Sequence, residues 1–176
     1  MSDVHTIRLR GPWQMEPLVR FALAETSGAG QGDDALPPPG RVKLPTTCEA
    51  ALPHGFCGRV RFARRFQRPT GLESHESVYL VVDTPWTIVR LTLNERALEI
   101  ATAAGSLIQR APVRLNLTDQ LADTNLLAIE VEYPAQDTAK RATAGQDTAG
   151  QASSATLDAS PESSATLLGE VRLEIE

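Results

Sequence analysis

Apolar residues along this chain recur with a period of two in one short segment after another, and nowhere do they hold a period of 3.6 over a long stretch. Alternation of that kind marks strands with one buried face, so the class is all-β. Ile7 and Leu9 alternate near the start. After the Gly11-Pro12 break, Val19, Phe21 and Leu23 form a second run, and Val42 to Leu44 is a brief third. The clearest segment is Arg59 to Gln67. There Val60, Phe62 and Phe66 share one parity, Arg61, Ala63 and Arg65 share the other, and Arg64 falls on the apolar side near a rim.

Ser77 to Asp83 is almost wholly apolar and reads as a central strand covered on both faces. Next, Thr87, Val89, Leu91 and Leu93 point one way, with Trp86, Ile88, Arg90 and Thr92 opposite. Asn94-Glu95 predicts a hairpin turn without the usual glycine, and Ala97 to Ile100 pairs back across it. Val113, Leu115 and Leu117 alternate again, Thr118-Asp119 caps a single helical turn, and Leu127, Ile129, Val131 and Tyr133 follow. Val171, Leu173 and Ile175 end the chain. Nine or ten short strands suffice for a two-sheet sandwich.

Two stretches interrupt this pattern. Residues 25–40, with Gly, Asp and three consecutive prolines, suit an exposed loop rather than a helix or central strand. Residues 135–165, rich in Ala, Thr, Ser, Gln, Asp and Gly and repeating the word QDTA, are expected to form a flexible insertion before the last strand. The 176 residues fit a single domain, 1–176. Aromatics make up only 5% of the chain, so Leu, Val and Ile must supply most of the core. Trp13, beside a strand break, reads as a core plug.

Charge and composition narrow the partners. A formal net charge of −5 argues against nucleic acid, no apolar run reaches the length of a membrane helix, and the start lacks the features of a secretory signal. The expected location is cytoplasmic. Cys48, His54 and Cys57 offer three soft ligands where structural zinc takes four, and the two thiols are either free or joined across a short loop. Asp33-Asp34 falls short of a calcium shell. No metal and no cofactor is expected. His5, His54 and His75 lie in ends or loops and give no triad, while Glu73, His75 and Glu76 share one loop that fits either acid–base work or plain solvation.

Four segments carry a family resemblance: GRVRFARRFQRP at 58–69, VYLVVD at 78–83, VRLTLNE at 89–95 and LNLTDQLADTNLLAIEVEY at 115–133. Together they resemble, over about residues 5–133, the sugar-binding domain of glycoside hydrolase family two, found at the N-terminus of β-galactosidases and β-glucuronidases. The resemblance implies a galactose-binding-domain-like jelly roll. In that frame Leu121 plugs the sandwich end and Asn125 shapes the tight approach to the next strand. This chain departs from the family where Gly55-Phe56-Cys57-Gly58 replaces an aromatic-rich Gly-Gly-Trp-Tyr word and Glu95 replaces a turn glycine. It also has no room for the barrel bearing the family's catalytic carboxylates, so hydrolysis is not implied and no catalytic residue is expected.

Strand parity assigns Arg61, Arg65, Trp86, Arg90, Arg114 and Asn116 to the second sheet face. Indole stacking with guanidinium hydrogen bonds suits a sugar, which makes Trp86, Arg61, Arg65, Arg90 and Arg114 the candidate ligand-binding residues of a non-catalytic carbohydrate-binding-type module. Two other readings stay open. The arginines fit an outer face paired with Glu130 and Glu132 while Trp86 is covered, or the same face meets a protein partner or a second copy of the chain.

Overall fold

A computed structural model describes residues 4–21, 35–53, 56–100, 112–133 and 166–176. Twelve strands run in chain order: β1 (His5–Arg8), β2 (Trp13–Arg20), β3 (Gly40–Val42), β4 (Thr46–Thr47), β5 (Gly58–Gln67), β6 (Val78–Val82), β7 (Thr87–Leu93), β8 (Arg96–Ala97), β9 (Val113–Asn116), β10 (Thr124–Tyr133), β11 (Thr166–Leu168) and β12 (Val171–Ile175). One helical turn, α1 (Cys48–Ala51), follows β4, and a 3-10 turn at Thr118–Gln120 precedes β10. All pairings are antiparallel. They build a four-stranded sheet ordered β1-β12-β6-β9, a six-stranded sheet ordered β3-β2-β5-β10-β7-β8, and a small β11-β4 pair.

The core lies between the two larger sheets. Across the six-stranded sheet Met15, Phe62, Ile129 and Leu91 fall in one register row and are all buried. Val78, Leu80, Val82, Val171 and Leu173 cover them from the other sheet. Each such side chain contributes about 1.5–3 kcal/mol by leaving water. Trp13 is fully buried and its Nε1 donates to the Leu9 carbonyl at 2.6 Å, so the ring plugs the core with its polar edge satisfied. β6 is covered on both faces as expected. Its outward Val81 is only 2% exposed, and long arginines, Arg172 and Arg114, flank it in register on the neighbouring strands.

Several strands differ from the sequence reading. The second strand is Trp13–Arg20, which takes in only Val19 of the expected run through Val19, Phe21 and Leu23, Leu23 lying outside the described residues, and its inward residues are Trp13, Met15 and Pro17. Proline is accepted there because β3 pairs only with Trp13 to Met15, which leaves the rest of β2 at an edge. In β7 the predicted parity fails. A register shift places Ile88 opposite Val131 and Arg90 opposite Glu130, so Val89 is the extra residue of a bulge and is exposed. β11 was hidden by its flanking composition. Of the loop expected over 25–40, only 35–40 is described, and Gly40 already belongs to β3. The insertion expected over 135–165 lies outside the described residues.

The predicted Asn94-Glu95 hairpin is present, with both residues at positive φ, 51° and 69°. That is the mirror-image turn whose twist matches its strands. The Asn94 side chain accepts from Leu126 N–H at 2.8 Å and donates to Asn125 Oδ1 at 3.0 Å. Asn125, fully buried, also bonds both polar groups of the Ala122 backbone. Thr118 does not cap its own turn. Asn116 Oδ1 accepts from the Thr118 N–H at 2.9 Å, while the Thr118 hydroxyl accepts from Val78 N–H.

Candidate functional site

The outer face of the six-stranded sheet collects most of the predicted arginines. Register places Glu16, Arg61, Glu130 and Arg90 in one row across four adjacent strands, an alternation of charge that cross-strand pairing favours. The next row toward β3 and β8 is Arg41, Gln14, Ala63, Ala128, Thr92 and Ala97. Its central members are short, so the long side chains beside them stand proud and leave Ala128 only 4% exposed. Arg65 lies beyond that row, opposite Leu126. On the other side Arg59 and Glu132 form an ion pair at 3.2 Å. The face thus holds Arg41, Arg59, Arg61, Arg65 and Arg90 against Glu16, Glu130 and Glu132, an excess of positive charge on a chain that is negative as a whole.

Two polar atoms on this face have no partner: the Nε of Arg59 and the Nε of Arg61 are buried and make no hydrogen bond among the described residues. Arg65 and Arg90 are exposed. Arg61, Arg65 and Arg90 therefore stand on one rigid surface, carried by β5 and β7 with β10 between them.

Arg114 and Asn116 belong elsewhere. Both are on β9, at the outer face of the four-stranded sheet, so a single patch joining them to Arg61 is corrected by the division of strands between the two sheets. There Arg114 lies over the Tyr79 ring, 3.6 Å from its centroid, and bonds Glu174 at 3.2 Å and Glu176. Glu174 also receives Arg172 Nε at 2.9 Å, and Glu170 accepts from Arg8 at 2.6 Å. The hydrogen bond from Arg172, aided by Arg114, holds the Glu174 carboxyl below the usual carboxylate range. These groups satisfy one another.

Trp86 is the second correction. With the bulge at Val89 it shares the inward side with Ile88, stands edge-on to Tyr133 with ring centroids 4.7 Å apart, and donates Nε1 to the Thr166 carbonyl at 2.6 Å. It packs against the core instead of standing open beside the arginines. Behind it Tyr133 and Cys48 are hydrogen-bonded partners, and burial pushes the Cys48 thiol up to about 11. Both cysteines are free and buried, and Cys57 Sγ donates to the Phe21 carbonyl at 3.2 Å. His54 lies outside the described residues, and no group of three metal-ligating side chains occurs among the described ones. The Glu73–Glu76 loop is a surface turn, with the Glu76 carboxylate accepting from Glu73 N–H at 2.7 Å and His75 3.5 Å from Glu73. No helix among the described residues is long and apolar enough to cross a membrane.

Sequence reasoning missed Arg59 and Arg41 on the arginine face. Arg59 shares the parity of Arg61 and was legible, whereas Arg41 depends on the unforeseen pairing of β3 with β2.

No protein-family model matches this chain, and no curated protein is similar to it in sequence. Solved structures do share its fold. A rhamnosidase from Novosphingobium sp. PP1Y is 21% identical with a TM-score of 0.59, over 100% of this chain and 16% of that one. A Faecalibacterium prausnitzii β-glucuronidase is 17% identical with a TM-score of 0.56, over 98% of this chain and 31% of that one. An FMN-binding β-glucuronidase from F. prausnitzii L2-6 is 19% identical with a TM-score of 0.53, over 98% and 22%. The chain thus spans less than a third of each of these enzymes, and the β-sandwich fold read from its sequence recurs as a part of glycoside-cleaving proteins.

Proposed function

We propose that this chain is a non-catalytic carbohydrate-binding-type module that meets its ligand on the outer face of the six-stranded sheet through Arg61, Arg65 and Arg90. One observation carries the reading: these arginines stand on one rigid surface, where the Arg61 Nε lacks a hydrogen-bond partner among the described residues. Guanidinium groups held by a sheet can bond hydroxyl or carboxylate oxygens with little further loss of freedom. The occurrence of the same fold inside a rhamnosidase and β-glucuronidases supports a saccharide as ligand. Recognition on this face is polar. Trp86 supports its covered side, and Arg114 belongs to an ion-pair network on the opposite sheet.

A second reading, docking onto a protein partner or another copy of the chain, is favoured by the state of the aromatics. Trp13, Phe56, Phe62, Phe66 and Tyr133 are buried, Trp86 is tucked against Tyr133, and Arg114 occupies a face of Tyr79. A stacking platform of the sort sugar sites commonly use is missing among these residues.

A glycan-array screen of the intact chain, repeated with the Arg61→Ala/Arg90→Ala double variant, separates the two. Loss of two charged hydrogen-bond donors, about 1.5–3 kcal/mol each, should weaken binding more than a hundredfold. Glycan binding unaffected by the double variant removes the site. A folded chain that binds no glycan, yet elutes as a dimer that the double variant dissociates, establishes the docking reading.

A further inference from the structure

A different arginine faces the interior. The core side of β5 reads Val60, Phe62, Arg64, Phe66, and the register sets Arg64 level with the buried Leu127 of β10 and Leu93 of β7. Its Nη1 is buried and makes no hydrogen bond among the described residues, and no described carboxylate forms an ion pair with it. Burial lowers the basicity of its guanidinium, and no described neighbour offsets that effect. An uncompensated cationic donor on the apolar side of a central strand is costly, and an apolar residue of the same length would pack there at less expense. Arg64 as a whole is only partly buried, so a small group can approach the guanidinium from solvent.

We infer that Arg64 is the anchor of a second site, one that takes an oxyanion, foremost the carboxylate of a sugar acid, into the sandwich interior. A planar guanidinium with a free edge matches a carboxylate or phosphate in two-point geometry. The outer-face arginines play no part in it. The site rests on the carbohydrate reading only for the choice of sugar acid over a simple anion.

The test is thermal unfolding of the intact chain with glucuronate, glucose, acetate or inorganic phosphate, in the native sequence and in Arg64→Met, Arg64→Lys and Arg68→Met. Glucuronate at ten times its Kd should raise Tm by about 4 °C, with glucose at the same concentration giving no shift. Arg64→Met should abolish that shift, Arg64→Lys should reduce it, and the exposed Arg68→Met control should keep it. Without ligand, Arg64→Met should melt at or above the temperature of the native chain, because it removes an unsatisfied buried donor. A Tm drop in ligand-free Arg64→Met means that Arg64 has a structural partner within the chain and overturns the proposal. So does a glucuronate shift that survives Arg64→Met, or the lack of a shift with every anion. A response to acetate or phosphate without any to glucuronate leaves an oxyanion site but removes the sugar-acid assignment, whatever the glycan array reports.

Discussion

At the scale of single residues, the Asn94-Glu95 turn shows a local rule obeyed at some cost. A type I′ turn needs positive φ at both central positions, and Asn tolerates this through its own short-range hydrogen bonds, here to Leu126 N–H and Asn125. Glu95, at φ 69°, has no such device. The left-handed conformation costs a non-glycine residue about 1–2 kcal/mol, while glycine gives back about 0.5–1 kcal/mol through the freedom of the unfolded chain. Glu95→Gly should therefore stabilise the fold by about 0.5–1 kcal/mol, a Tm increase of roughly 2–4 °C in a scanning fluorescence melt. An unchanged or lower Tm means that the turn is relaxed as it stands. The turn itself was legible from two residues. Trp86 was not, because its side depends on a bulge three positions later that no pattern of side-chain types announces.

Among elements, legibility followed the cleanness of the alternation. β5, β9, β10 and β12 were found because most inward positions carry Val, Leu, Ile or Phe and most outward ones carry polar or charged residues, with Arg64 of β5 and Asn125 of β10 as inward exceptions. β2 was placed too late in the chain, since its inward residues include a proline and its exposed end carries Val19. Where β2 shifts register between Pro17 and Val19, its backbone comes down onto the start of β5. A Cβ on Gly58 would sit 2.0 Å from the Val19 carbonyl oxygen and 3.0 Å from the Phe56 ring, so glycine is required by contact with backbone that cannot swing away. Gly58→Ala must push the two strands apart. The expected cost is about 3 kcal/mol, read as a lower urea midpoint with the same m-value. A cost under about 0.5 kcal/mol would mean that β2 is loosely held on β5.

Taken as a whole, the molecule presents two outer faces of different character. On the six-stranded sheet arginines outnumber glutamates and Arg61 keeps an unsatisfied donor, whereas on the four-stranded sheet Arg8, Arg114 and Arg172 interlock with Glu170, Glu174 and Glu176. Parity in the sequence brought out Arg61, Arg65, Arg90 and Arg114 but could not divide them, because the sheet to which β9 belongs is a matter of long-range pairing. The interlocked set makes a prediction of definite sign. Arg172 and then Arg114 hold the Glu174 carboxyl below its usual range, so its charge stabilises the folded chain at any pH above the unfolded-state value of about 4.3. That contribution must fade as pH falls through the depressed native value, where the carboxyl is protonated in both states. The Tm difference between the native chain and Glu174→Gln should hence be positive and flat from about pH 8 to pH 5, then shrink below about pH 4. Added salt should shrink it as well, since the group lies near the surface. A difference that persists unchanged into acid would assign Glu174 a packing role instead of an electrostatic one. The four-stranded face would then be open to a ligand after all, because Arg114 and Arg172 would no longer be committed to their neighbours.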